Sequence, residues 1–231
     1  YINISSASGH SPDADDIFMY YAIKFGWVSL PKVKFENIAL DIETLNQATL
    51  KGVYDICAIS FALYPFVKDD FALLKTAVSF GEGYGPKLIK KKGTKLKRNF
   101  KVALSGEFTT NALLFKIAYP DARISYMNFL DIENAVINGD VDAGVLIHES
   151  ILTYSSLLEV EREIWDIWVE LCNGEELPLP LGGMCLRRSI TLTEAIKYEN
   201  VLIKAVDVAN KNRKTLAPML LEKGLIRVDA K

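Results

Sequence analysis

Residues 100–119, FKVALSGEFTTNALLFKIAY, decide the fold. FKVAL is a short apolar run with the length of a strand. SGEFTT is a small polar loop, and NALLFKIAY reads as a helix that stops at Pro120. Strand, loop and helix in this order form the first half of a βαβ unit.

The same grammar runs outward in both directions. Downstream, ARISYMNF is a strand, DIENAVING a helix stopped by Gly139, and VDAGVLI a strand. Upstream, YINISSA is a strand. SPDADD then opens a helix, with Ser11 suited to the N-cap, Pro12 to the first helical position, and Asp13, Asp15 and Asp16 to the first turn. Phe18, Tyr21, Ala22 and Phe25 make one apolar stripe on it. KVKFENIAL is a strand, DIETLNQATLKG a helix closed by Gly52, and VYDICAIS a buried strand that ends at Ser60. In the last third, LLEVEREIWDIWVELCNG reads as one long amphipathic helix and LPLPLGG as a stiff connection. MCLRRSI is a strand, and TLTEAIKYENVLIKAVDVANKN a helix capped by Thr191 or Thr193.

Repeated βαβ units predict an α/β fold, with mostly parallel sheets and helices on both faces. Two such blocks, with a return to the first, predict two lobes and a cleft. Lobe one is residues 1–98 and 179–231, and lobe two is residues 99–178. The basic run from Lys87 to Lys101 is expected to be a solvated loop between them. The three alternate glycines of GEGYG lack the GxGxxG spacing and do not join a strand to a helix. They predict a tight turn rather than a dinucleotide site.

The chain has 231 residues, half of them apolar, and a net charge of −2. A near-balanced charge argues against nucleic-acid binding. No apolar run reaches the roughly 20 residues that span a bilayer. Three widely spaced cysteines, without CxxC or HxxxH spacing, predict free thiols in a reducing compartment and no metal site. Cytoplasmic location is the expectation.

Ligands of open α/β sheets bind beyond the carboxyl ends of the strands. That rule gathers Ser11 with Asp13 and Asp15, Ser60, Ser105 with Thr109 and Thr110, and His148. Thr109 and Thr110 stand where a helix begins. They either cap it or, with its free N–H groups, hold a carboxylate or phosphate. The Asp cluster either serves the helix dipole or meets sugar hydroxyls. His148, one of two histidines, ends the apolar run GVLI and opens the polar HES. An imidazole there either has a structural role or accepts a proton near neutral pH. No GxSxG motif supports a hydrolase triad.

The pieces SPDADDIFMYYAI, DIETLNQ, AIS before FALY, GEGYGP, SGEFTTNALL, IHESILTY and LPLGGMCLRR occur in family order across nearly the whole chain. In these the chain resembles the 1,4-dihydroxy-6-naphthoate synthases of the futalosine route to menaquinone. Where many members carry SPCPND, this chain has SPDADD. The resemblance implies a two-lobed fold like type II periplasmic binding proteins. It implies a cofactor-independent lyase that splits cyclic dehypoxanthine futalosine, a small-molecule substrate, with no metal, nucleic-acid or membrane partner. It implies His148 as proton acceptor, and Ala58, Ile59, Ser60, Thr109 and Thr110 as substrate contacts. The two rivals are a non-catalytic binding protein for a small anion and chorismate dehydratase, which shares the fold and the pathway.

Overall fold

The computed structural model describes residues 5–10, 28, 34–212 and 214–215. Ser11, Asp13 and Asp15, with the helix expected after them, lie outside the described residues. The chain divides into two units, residues 1–78 with 182–231 and residues 79–181.

In unit one, β1 (Ser5–His10) lies between β2 (Lys34–Ala39) and β3 (Ile56–Ser60), parallel to both. Between β2 and β3 comes the helix Ile42–Leu50. The Asp41 side chain caps it by accepting the Thr44 N–H at 3.1 Å, and Gly52 turns the chain away at φ +64°. Leu45 from this helix and Ile56 and Ile59 from β3 are fully buried. Phe61–Leu63 and Tyr64–Val67 form short helical turns that lead to β4 (Phe71–Leu73). β5 (Ser79–Gly81) comes next and opens unit two.

Unit two holds the sheet β10-β6-β9-β7-β8. Its strands are β6 (Lys87–Lys91), β7 (Lys101–Leu104), β8 (Arg123–Tyr126), β9 (Ala143–Leu146) and β10 (Leu158–Glu163). Here β7 runs parallel to both β8 and β9, while β6 is antiparallel to β9 and β10. Strand alternation sends Leu88, Val102, Leu104 and Val145 to one core. That core also contains Leu114 and Phe115 of the helix Thr110–Ala118, and Ile164 and Ile167 of the helix Ile164–Leu171. Ile89, Ala103 and Leu146 go to a second core, with Ile132 and Val136 of the helix Ile132–Asn138. β11 (Leu179–Arg187) is antiparallel to β3 and β4, which completes the order β2-β1-β3-β11-β4, and β5 also pairs with it. The helix Leu192–Lys211 follows, capped by Thr191 rather than Thr193.

Several expectations need correction. The sheets are mixed: each joins three parallel strands to antiparallel partners. The run after Lys87 is not a solvated loop at its start. It is β6, with Leu88 and Ile89 fully buried. Its lysines are matched by an acidic neighbour: Lys87 pairs with Glu163 at 3.3 Å, and Lys90 with Glu159 at 3.8 Å and with Glu161. That neighbour is β10, the first half of the segment expected to be one helix. In LEVERE, apolar and charged residues alternate, and pairing with β6 selects the strand period. β6 therefore belongs to unit two, and the division falls after residue 78 rather than residue 98. LPLGG is strand, not connector. Among the described residues no helix is long and apolar enough to cross a membrane.

Candidate active site

The parallel strands of unit two set the geometry. β7 pairs with β8 up to Leu104 and Tyr126, and Met127 N–H extends that pairing by donating to Leu104 O at 3.0 Å. β7 also pairs with β9, through Ala103 and Gly144. The carboxyl ends of three neighbouring strands therefore lie along one edge, and each feeds a loop. Ser105 to Thr109 follow β7, Met127 to Asp131 follow β8, and Ile147 to Ile151 follow β9.

His148 opens the last of these loops as the first residue of a single 3-10 turn, His148–Ile151. It is half-buried, and its φ is +55°. A side-chain-bearing residue rarely adopts that left-handed conformation, and such strain gathers at functional positions. The turn holds it: Ser150 Oγ donates to Ile147 O. Phe129, from the loop after β8, meets the imidazole edge-on with ring centroids 5.0 Å apart and 76° between planes. Behind the turn, Ile151 and Tyr154 pack on the second core, and Ser155 N–H donates to the Glu133 carboxylate at 2.6 Å. Among the described residues no group of three His, Cys, Asp or Glu side chains is placed to hold a metal.

Thr109 and Thr110 both sit at the start of the Thr110–Ala118 helix, but their hydroxyls are spent. Thr109 Oγ1 accepts the Ala112 N–H at 3.2 Å and donates to Gly106 O at 2.9 Å. This is an N-cap in both directions. Thr110 Oγ1 donates to Leu181 O at 2.9 Å. The first turn of a helix also carries backbone N–H groups that have no carbonyl partner within the helix, and these suit an anionic ligand. Beside them are two further polar groups, Ser105, which the strand-end rule had gathered, and Asn111, which the sequence reading passed over. Ser105 Oγ and the Asn111 amide oxygen are buried without a hydrogen-bond partner among the described residues. Such orphans are costly, and a bound polar ligand would satisfy them.

In unit one, Ala58, Ile59 and Ser60 end β3. The Ile59 side chain is fully buried in the core, so only its backbone is available to a ligand. Ser60 is the polar member. It is held by Asn46, a fully buried residue of the Ile42–Leu50 helix: Ser60 N–H donates to Asn46 Oδ1 at 2.9 Å, and Asn46 Nδ2 donates to Ser60 Oγ at 3.0 Å. His10 ends β1, the parallel neighbour of β3.

One residue pair is chemically quiet. Cys57 and Cys185 face each other across β3 and β11, both fully buried and neither in a disulfide. Burial, reinforced by the Cys57 thiol, pushes the Cys185 thiol far above the ordinary range. A thiol that stays protonated is a poor nucleophile.

A family model described as menaquinone biosynthesis matches residues 7–230. Two curated relatives are named 1,4-dihydroxy-6-naphtoate synthase. The one from Thermus thermophilus is 32% identical over 185 residues, 79% of this chain and 66% of its own length. The one from Streptomyces coelicolor is 30% identical over 220 residues, 92% of this chain and 77% of its own. The chain thus spans just under two thirds of the Thermus relative. A solved protein from Archaeoglobus fulgidus is 34% identical with a TM-score of 0.82, covering 90% of this chain and 77% of its own. The alkanesulfonate-binding protein of Xanthomonas axonopodis pv. citri has the same fold at 12% identity, with a TM-score of 0.70 over 98% of this chain and 82% of its own.

Proposed function

This chain belongs to the menaquinone biosynthesis family, and we propose on that premise that it converts cyclic dehypoxanthine futalosine to 1,4-dihydroxy-6-naphthoate. The observation that carries this reading is His148, held half-buried and in a left-handed conformation where the carboxyl ends of β7, β8 and β9 converge.

The chemistry follows from that placement. Neutral His148 takes the proton from the carbon beside the substrate's ketone. The electron pair left behind moves into the ketone as an enolate. The carbon–carbon bond to the sugar-derived part breaks with its electron pair going to the departing fragment, the imidazolium returns its proton to that fragment, and the enolate's pair moves back into the ring as a new double bond that makes it aromatic. Electrons balance without an external oxidant or reductant, so the step as written calls for neither a redox cofactor nor a metal. A positioned base contributes roughly 10² to 10⁴ in rate. Aromatisation supplies the remaining drive.

The other contacts bind rather than react. The backbone N–H groups at the start of the Thr110–Ala118 helix, with Ser105 Oγ, suit the ring carboxylate. Thr109 and Thr110 serve by fixing that helix start, and the backbone of Ala58 and Ile59 leads to Ser60. Ser11, Asp13 and Asp15 are assigned to the sugar-derived part because their polar side chains suit its hydroxyl groups. Three cysteines outside any disulfide fit a cytoplasmic enzyme.

The test is direct. Purified protein is incubated with the cyclic substrate, and the naphthoate is followed by absorbance and mass. Stoichiometric appearance of naphthoate and sugar-derived fragment is expected. Binding without conversion would favour a solute-binding protein of the same fold and overturn the reading.

A further inference from the structure

We infer that Asn46 is a positioning residue that fixes the direction of the Ser60 hydroxyl, so that Ser60 donates its proton to a substrate oxygen that carries none of its own, a carboxylate or ketone oxygen. The inference rests on the proposed function for the identity of the substrate, but its geometry stands apart from the His148 chemistry.

The argument begins with donor and acceptor counts. Ser60 N–H can only donate, so the Asn46 atom 2.9 Å from it is the amide oxygen. The orientation of the amide is thereby fixed, and its nitrogen faces Ser60 Oγ at 3.0 Å. The second hydrogen of that nitrogen is directed at the Glu43 carboxylate, 3.5 Å away, which also accepts from Gln47 Nε2 at 2.9 Å. Ser60 Oγ is therefore the acceptor of the Asn46 bond. A hydroxyl has one proton and two lone pairs. With a lone pair committed inward, the proton is left to donate, and it meets no acceptor among the described residues.

A purely structural role does not need this arrangement. The bond from Ser60 N–H to Asn46 Oδ1 alone satisfies the end of the strand. Burying a polar amide completely costs free energy unless its groups are paired. Here the second pairing is made with the hydroxyl of a residue that is only 3% exposed, and that hydroxyl has a proton left to give. The pair is thus set to present one O–H of fixed polarity at the carboxyl end of β3, where ligands of such sheets bind. A carboxylate acceptor gains most from it, since hydrogen bonds to charged groups are about twice as strong as neutral ones.

The test is a double-mutant cycle on turnover, with Ser60→Ala, Asn46→Ala and both together, each normalised to folded protein by circular dichroism. Each single change is expected to raise KM about tenfold while kcat stays within about twofold, the pattern of lost binding common to ground and transition states. The double variant is expected to match Ser60→Ala, because Asn46 acts through Ser60. Asn46→Asp gives a second readout. Its carboxylate still accepts from Ser60 N–H but also draws the Ser60 proton inward, so KM rises as in Ser60→Ala. An unchanged KM in the Asn46 variants, or effects that multiply in the double variant, overturns the inference. Should neither Asn46 variant fold, Ser60→Ala decides: a raised KM supports the donor, and an unchanged KM removes it. The same cycle read as 1,4-dihydroxy-6-naphthoate binding separates the two claims. Protein that binds in this pattern without converting substrate sinks the proposed lyase and keeps the inference. Protein that converts substrate with a KM indifferent to Asn46 does the reverse.

Discussion

The ring of Phe129 meets the imidazole of His148 edge-on, with centroids 5.0 Å apart, and so joins the loop after β8 to the loop after β9. An aromatic pair in this geometry contributes about 0.5–1.5 kcal/mol beyond its buried area. Here it restrains the ring assigned the proton transfer. Phe129→Leu removes the restraint. We expect kcat to fall about tenfold with KM within about threefold, while Phe129→Tyr, which keeps the ring, retains most of the rate. Steady-state kinetics on the two variants checks this. Equal kcat in wild type and Phe129→Leu would remove Phe129 from the site.

Gly182 lies opposite Ser60, where β11 crosses β3. A Cβ built there would stand 2.7 Å from Ile59 O, a backbone atom with no room to yield. Gly182→Ala therefore pushes β11 away from β3. Overpacking of this kind costs about 1–3 kcal/mol. Thermal denaturation should show a fall of several degrees, with a raised KM because Ser60 moves with its strand. An unchanged midpoint would mean that β11 shifts freely.

Cys185 links stability to pH. Its thiol pKa is raised in the folded chain by burial, above an unfolded value of about 8.5. Below that value both states hold the proton, and the neutral thiol's contribution is fully present. Above it the unfolded chain releases the proton while the folded chain keeps it, so the unfolded state binds fewer protons and stability falls as pH rises. Wild type should lose more stability than Cys185→Ala between pH 8 and pH 10, measured by urea denaturation. Parallel pH profiles would contradict the assignment. The same burial predicts that native Cys57 and Cys185 resist alkylation until the chain unfolds.

The split between what the sequence disclosed and what it did not follows the range of the forces involved. The strand, loop and helix of residues 100–119 carry local signals, a change of period and a capping threonine, and folded as read. β10 did not. Val160, Ile164, Ile167 and Leu171 also fit helical spacing, and only pairing with a strand some seventy residues earlier selects the extended form. The basic β6 was hidden for the same reason, because its acidic partner is distant in sequence. At the site, His148 stood out as a polar break after an apolar strand. Asn46 looked like any polar residue of an exposed helix face. Phe129 looked like a loop hydrophobe, and nothing in FTTN showed that both threonine hydroxyls would be spent on backbone carbonyls.

The account depends most on His148 as the group that accepts the proton. The direct measurement is turnover of cyclic dehypoxanthine futalosine by His148→Ala, alongside titration of the same variant with 1,4-dihydroxy-6-naphthoate. Loss of the base predicts a rate at least about a hundredfold below wild type, with naphthoate affinity within a few-fold of it. A variant that turns over at the wild-type rate would contradict the mechanism, whatever family the chain belongs to.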